Sequence, residues 1–346
     1  MIPETASPQK FKIALDAMGS DSAPAVEIEG AIQAVTAYPH LEVILVGPES
    51  LLKAELEKRG GASLSLSVVP ASEVITMGDA PLQAIKQKKD ASLLVTANLV
   101  KQGKAQAMVS AGNTGATMAA ALMTLGRIEG VSRPAIATPM PSLDGGSVVL
   151  DAGANVDCKA QYLVEFAVMG NMYARHILHK SKPRVGLLNI GEEKGKGNTL
   201  VNEAYPLLEK APLHFVGNVE GRDIINGRCD VVVCDGFTGN VILKFGEGLV
   251  KTFFDLIKKG IMKNVMTRIG GALVKPAFND LRKMVDYSEY GGAPLLGVSG
   301  VCIICHGRST AKAIKNALRV AGEFVDHRVN QEILEALKKI REQALE

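Results

Sequence analysis

The sequence predicts a three-layer α/β fold around a largely parallel sheet. Three observations carry this. Apolar runs of strand length alternate with helical patterns from end to end of the 346 residues. Most of those runs lead into short turns of Gly, Asn, Asp, Ser or Thr. Many of the 35 glycines sit in those strand-to-helix junctions, where a tight turn or close backbone approach tolerates no Cβ.

Taken in order, the strand-like runs cover 12–16, 41–46, 64–69, 107–110, 135–139, 147–151, 184–190, 213–216, 230–235 and 301–305. Helical patterns lie near 24–38, 81–101, 114–127, 158–177, 199–210, 239–268 and 309–343. Linker, repeat and low-complexity signals are missing, so the reading is one α/β catalytic domain over 1–346. Within it, 1–10 is expected to be a flexible N-terminus and 250–275 a basic amphipathic helical segment.

Composition narrows the class. Hydrophobic residues at 47% and charged residues at 22% indicate a globular chain, and with 4% aromatics and no Trp the core must be mainly aliphatic. A formal net charge of +3 is too small to argue for nucleic acid. The charge is uneven, however: residues 251–283 hold eight Lys or Arg against two Asp, a net +6, which suits an acidic partner or an anionic membrane surface. The five cysteines are odd in number and mostly in apolar segments, so no disulfide framework is expected. The start, MIPETASPQK, lacks the apolar run of a signal peptide, and no stretch nears the ~20 apolar residues of a membrane span. The chain therefore reads as cytoplasmic.

In parallel α/β folds ligands gather at the carboxyl ends of strands, where helix N-termini present amide groups and the positive end of a dipole. Six such junctions share one chemistry here: DAMGSD (16–21), SAGNTGA (110–116), DAGANVD (151–157), NIGEEKGKGN (189–198), DGFTGN (235–240) and HGRS (306–309). Together they suggest a composite polar site for an oxyanion. Each turn also has a plainer reading. Asn113 and Thr114, flanked by Gly112 and Gly115, either cap a helix or bind an anion. Lys196, between two glycines, either pairs with phosphate or is a solvated surface lysine. Asn240 either caps a helix or donates to a carbonyl or phosphate oxygen. Asn155 is a ligand donor or a turn residue. Asp16 and Asp151, one carboxylate per turn, suit turn and cap duties better than metal binding, and no metal site is expected. His306 is a general acid or holds its own turn. Cys302 and Cys305 form a C-x-x-C without a second pair, and read as buried apolar cysteines. Walker A, G-x-S-x-G and G-x-G-x-x-G signatures are all missing, which counts against nucleotide binding and a serine nucleophile.

Between Phe253 and Val274 apolar residues recur every four positions, at Phe253, Ile257, Ile261, Val265, Ile269 and Leu273, with Lys258, Lys259, Lys263 and Arg268 elsewhere on the pattern. Gly260 and the Gly270–Gly271 pair predict two short helices rather than one rod. Such a segment either lies on a membrane surface or packs in a subunit interface.

The motifs together resemble one family. DAMGSD, SAGNTGA, GRIEGVSRPA (126–135), DAGANVD, LLNIGEEKGKGN (187–198), DVVVCDGFTGNV (230–241) and DYSEYGGAPLLG (286–297) stand in the order found in PlsX-type phosphate acyltransferases, over about 12–327. The chain departs from that pattern at Ser20, where the family usually has Gly, and at Thr199, where Glu is common. The resemblance implies an isopropylmalate-dehydrogenase-like fold and transfer of a fatty acyl group from acyl carrier protein to inorganic phosphate, giving acyl phosphate for phospholipid synthesis. It also implies a homodimer in peripheral contact with the membrane and with a downstream membrane acyltransferase, and no cofactor. Carried onto this chain, it makes Lys196 and Asn240 the catalytic pair. Asp16, Gly19, Asn113, Thr114, Gly115, Asp151, Asn155, Gly197, Asn198, Asp235, Thr238 and His306 become substrate-binding residues. Phe253, Ile257, Lys258, Lys259, Ile261, Lys263, Val265 and Arg268 become the membrane or partner contact. The competing readings are an NAD-dependent hydroxy-acid dehydrogenase on a related fold and a non-catalytic membrane-surface scaffold for lipid enzymes.

Overall fold

The computed structural model describes residues 10–285 and 287–345. Apart from Lys10, the N-terminal stretch 1–10 lies outside the described residues. The chain forms two compact units, one from the residues up to Pro134 together with those from Tyr290 onward, the other from Ala135 to Glu289.

In chain order the elements are β1 (Phe11–Asp16), α1 (Ala25–Ala37), β2 (Leu41–Gly47), α2 (Glu49–Lys58), β3 (Leu66–Pro70), α3 (Pro81–Gln87), α4 (Ser92–Lys101), β4 (Ala107–Ser110) and α5 (Thr114–Leu125). There follow β5 (Ala135–Ile136), β6 (Thr138–Met140), β7 (Ser147–Leu150), α6 (Ala160–His176), β8 (Arg184–Leu188), α7 (Thr199–Lys210), β9 (His214–Val219), α8 (Asp223–Asn226), β10 (Val231–Val233), α9 (Gly236–Ile261) and α10 (Val265–Val285). The chain closes with α11 (Tyr287–Tyr290), β11 (Ala293–Leu296), β12 (Val301–Ile304), α12 (Ala311–Asp326) and α13 (Val329–Leu345).

The strands divide between two mainly parallel sheets, of order β3-β2-β1-β4-β12-β11-β5 and β6-β7-β10-β8-β9. Among the described residues, β11 pairs antiparallel with β12, and β6 with β7. The central strands are covered on both faces, which is why they read as unbroken apolar runs rather than as alternation. In the first sheet, Ala14, Ile44 and Val46 meet Leu99 and Val95 of α4, while α12 packs on α1 at Gly30, where an added Cβ would lie 2.6 Å from Ile314. In the second, Val231 and Leu150 face Gly170 of α6, where a Cβ would come within 2.5 Å of Val231. Val149 and Val232 face the other way, onto Ile224 of α8 and Ile242 of α9.

Register fixes where the turns emerge. In the first sheet Ser110, at the end of β4, pairs with both Asp16 of β1 and Ile304 of β12. In the second, Val233, ending β10, pairs with Leu150 of β7 and Leu187 of β8. Each sheet thus ends three adjacent parallel strands at one level and releases three of the polar turns side by side.

Several elements differ from expectation. The helix expected over 81–101 is two, because the chain turns at Lys88–Ala91, where Lys88 donates to Val74 O and Asp79 and a short bridge joins Glu73 to Ala91. The run 135–139 is two strands: β5 ends the first sheet and β6 starts the second. The helix expected over 309–343 is divided at His327–Arg328, where Arg328 takes a positive φ of 50°, while the break expected near Gly260 falls at Met262–Asn264. The Gly270–Gly271 pair does not end a helix. It lies inside α10, and Gly271 lets Ile261 of α9 approach so closely that a Cβ would sit 2.5 Å from Ile261 Cγ2.

Candidate active site

In the second unit, the turn after β7 wraps around the Asp151 carboxylate. Asp151 is buried, and accepts from the amides of Ile136, Gly153, Ala154 and Asn155, and from the Asn155 side chain at 2.9 Å. Burial pushes this carboxyl above its ordinary range, and those bonds pull it back. Asp151 is therefore the core of the turn, and the Asn155 amide is held by it. The N-terminus of α9 presses on the same turn: Gly236 N donates to Asn155 O at 2.7 Å, and a Cβ on Gly239 would lie 1.9 Å from Asp151 O. Asp235 caps α9, its two oxygens accepting from the Thr238 amide and hydroxyl at 2.8 Å each. One turn further on, Asn240 is exposed beside Gly153, and its amide makes no hydrogen bond to the described residues.

The turn after β8 is tied internally. Asn189 donates to Lys196 O at 3.0 Å and accepts from Ile190 N. Gly197 has φ 96°, and a Cβ there would lie 2.2 Å from Asn189 Oδ1, so only glycine fits. Asn218, buried on β9, donates to Glu193 O, and Asn198 caps α7 by accepting from Val201 N at 3.0 Å. Lys196 is half-exposed, with its Nζ 2.7 Å from Glu193 Oε1; that pairing holds the Glu193 carboxyl below its usual range. An exposed pair of this kind contributes ~0–1 kcal/mol, so a doubly charged oxyanion can displace Glu193 from Lys196 at small cost.

In the first unit, the Asp16 carboxylate accepts from Ser92 Oγ at 2.6 Å and Ser110 Oγ at 2.8 Å, and burial raises it above its ordinary range. Gly19 packs on the next turn, where a Cβ would be 2.7 Å from Gly112 N. Asn113 caps α5 through Ala116 N and donates to Met77 O and Asp79 O, so its whole side chain is engaged. Gly115 lies against Pro81, Thr114 is exposed, and the exposed His306 accepts from Arg308 N through Nδ1. Asp21 N donates to Gly307 O, joining the first and last turns of this edge.

The predicted residues thus sort by role. Asp16, Asn113, Asp151, Asn155, Asn198, Asp235 and Thr238 build turns and caps. Lys196, Asn240 and Thr114 present side chains to solvent. Lys196, on the turn after β8, and Asn240, near the start of α9, stand at the edge of β7, β10 and β8; Asp16, Gly19, Asn113, Thr114, Gly115 and His306 stand at the edge of β1, β4 and β12. Sequence reasoning missed Ser92, Asn189, Asn218 and Glu27. Asn189 opens a turn already singled out, and that signal was available. Ser92, Asn218 and Glu27 lie inside helices or strands, where nothing local marks them.

Glu27, on α1, is fully buried; its Oε1 accepts from Ser20 N at 3.0 Å, and burial pushes its carboxyl up to about 7. A raised acid stabilises the fold fully below its unfolded value near 4.5, and that contribution is lost as pH rises through about 7. The unfolding free energy of the wild type relative to Glu27→Gln is accordingly expected to fall by about 3 kcal/mol between pH 4.5 and 8. Denaturant titrations of both proteins across that range check it; parallel curves would contradict it.

All five cysteines are free thiols. Burial pushes Cys158 up to about 11, Cys229, Cys302 and Cys305 up to about 12, and Cys234 well above its ordinary value, so none offers a thiolate nucleophile near neutral pH. Among the described residues no three or more His, Cys, Asp or Glu are grouped as a metal site.

Comparison with known proteins settles the kinship. The family model described as "Fatty acid synthesis protein" matches residues 11–332. A phosphate acyltransferase of Heliobacterium modesticaldum is 55% identical over 91% of this chain and 94% of its own length. This chain belongs to the fatty acid synthesis protein family. Another relative, the phosphate acyltransferase of Halothermothrix orenii, is 51% identical over 92% of this chain and 96% of its own length. Among solved structures, a phosphotransacetylase from Streptococcus pyogenes superposes with TM-score 0.64 at 19% identity, covering 92% of this chain and 94% of its own. The EutD phosphotransacetylase from Staphylococcus aureus gives 0.60 at 18%, covering 92% and 94%. Those likenesses place this family member in the three-layer αβα fold.

Proposed function

We propose that the chain transfers a fatty acyl group from the thioester of acyl carrier protein to inorganic phosphate, giving acyl phosphate for phospholipid synthesis. The observation that carries this is the edge of β7, β10 and β8, which offers a half-exposed lysine, Lys196, on a glycine-hinged turn and an exposed amide without a hydrogen bond to the described residues, Asn240, near the start of α9. A phosphate oxygen attacks the thioester carbonyl carbon, the tetrahedral oxyanion collapses, the C–S bond breaks, and the thiolate leaves and is protonated. Lys196 binds phosphate and offsets its charge; Asn240 donates to the carbonyl oxygen as it becomes an oxyanion. The turns at Asp16, Asn113 and His306 are proposed to position substrate. The names of the relatives do not favour the dehydrogenase or the scaffold reading. Incubation with acyl carrier protein thioester, with and without phosphate, tests it: acyl phosphate detected by mass spectrometry only with phosphate is expected, and its absence would refute the assignment.

Peripheral membrane contact and homodimerisation are proposed for α9 and α10. Among the described residues no helix is long and apolar enough to cross a membrane. The exposed apolar stripe runs further upstream than the sequence pattern suggested, through Phe237, Val241, Phe245, Leu249 and Phe253 on α9, and through Val265, Met266, Ile269 and Leu273 on α10. Ile257 and Ile261 are only partly exposed, while Lys258, Lys259, Lys263 and Arg268 are exposed among the apolar residues. Burying such side chains is worth ~1.5–3 kcal/mol each. Val265→Glu with Met266→Glu should therefore cut co-sedimentation with vesicles containing anionic lipid at least about tenfold; undiminished co-sedimentation would argue against lipid contact there.

A further inference from the structure

Beneath the 16–21 turn lies a group that the proposed chemistry does not use. Glu27 has no exposed surface, although it is a carboxyl in the first turn of a helix, where surface placement is the norm. One oxygen accepts from Ser20 N at 3.0 Å, and the other, Oε2, has no hydrogen-bond partner. A buried carboxyl left half-satisfied is costly, and such exceptions call for an explanation.

We propose that Glu27 is a positioning residue for the 16–21 turn, gripping Ser20 from below, and that gain or loss of its proton sets how firmly that turn is held for substrate. This rests on reading 16–21 as a substrate-binding turn of the phosphate acyltransferase reaction. Within the turn, Ala17 N is held by Val46 O at 3.0 Å, Met18 N by Asp16 at 3.3 Å and Asp21 N by Gly307 O at 2.8 Å, while Ser20 N is held by the Glu27 side chain. An ionised carboxylate is the stronger acceptor, so the turn is held more firmly with Glu27 charged.

Burial is the main cause that raises Glu27, and the charged groups around it contribute less. Asp16 of β1 disfavours its charge, and the Cys305 thiol, just past β12, lies close enough to feel it. Helix α12 brings Lys312, Lys315, Arg319, Glu323 and Asp326. Of these, Lys315 stands over the Tyr38 ring at the far end of α1, and Arg319 is paired with Glu323. On β2, Glu42 is paired with Lys10 and Lys12; on α2, Glu49 pairs with Lys53, and Glu55 with Lys58 and Arg59. Burial pushes the Glu27 carboxyl up to about 7.

The test is the pH profile of acyl-phosphate formation by the full chain. Between pH 6 and 8 the wild type is expected to show a fall of about fivefold in KM for the acyl thioester, centred near pH 7, with kcat unchanged. In Glu27→Gln that limb should be gone. A limb of the same size and midpoint in the variant would overturn the proposal. Should Glu27→Gln fail to fold, carbon-13 NMR of the wild-type Glu27 carboxyl decides: a midpoint near 7, tracked by the Ser20 amide, supports it, and a midpoint near 4.5 or a silent Ser20 amide overturns it. Absence of acyl phosphate from the wild type at every pH would instead refute the enzymatic reading, leaving the NMR result to judge Glu27.

Discussion

Asn240→Ala is expected to lower kcat by about 10²–10³-fold, the usual loss when one oxyanion donor is removed, while leaving the unfolding midpoint where it was. The second half follows from the structure. Asn240 is exposed in α9 and its amide makes no hydrogen bond to the described residues, so truncation breaks nothing inside the chain and alanine favours the helix. A catalytic and a structural role therefore separate cleanly at this position, as they do not at Asn113 or Asn155, whose amides are already engaged. Lys196→Ala should lose at least about tenfold with a raised KM for phosphate, because the lysine carries charge that the surrounding amides cannot supply. Steady-state kinetics with both substrates varied would check both variants. Turnover within threefold of wild type in both would remove Lys196 and Asn240 from the chemistry.

Gly239→Ala is expected to destabilise the protein by at least about 3 kcal/mol, a large part of a typical domain's total stability. Its Cβ would lie 1.9 Å from Asp151 O and 3.1 Å from Cys234 Sγ, and the carbonyl belongs to a turn locked by the Asp151 carboxylate, so neither partner can yield cheaply. Gly248→Ala in the same helix is the control. A Cβ there meets nothing within 4 Å, and the substitution should stabilise by ~0.5–1 kcal/mol. Denaturant unfolding of the two variants reads the difference directly; equal stabilities would show that the α9 N-terminus does not press on the 151–155 turn as described.

Legibility in the sequence followed locality. Residues 107–110 and 199–210 are read at their observed bounds, since an apolar run ending in Ser-Ala-Gly and an Asn cap before a helical pattern are local signals. Helix α2 was missed, although Pro48 before a ten-residue amphipathic stretch is an ordinary start signal. What stayed hidden was set by distant contacts. The break at Lys88–Ala91 has no Gly or Pro to announce it and is stabilised by Val74 and Asp79, many residues away. Asp16 looked like a turn residue, but its partners Ser92 and Ser110 come from two other elements. A glutamate one turn into a helix reads as a surface charge, and only the packing of α1 against α12 and the first sheet buries Glu27. Of the site, sequence placed the turns correctly at strand ends; it could not tell which side chains the turns consume in holding themselves together.

The most direct test of the chemistry is a single-turnover experiment that omits phosphate. Enzyme in excess over acyl carrier protein thioester should release no thiol and gain no acyl mass, and adding phosphate should then release thiol and acyl phosphate in equal amounts. Release of thiol with an acyl group left on the protein before phosphate is added would mean a covalent enzyme intermediate, and would contradict direct attack by a phosphate held at Lys196.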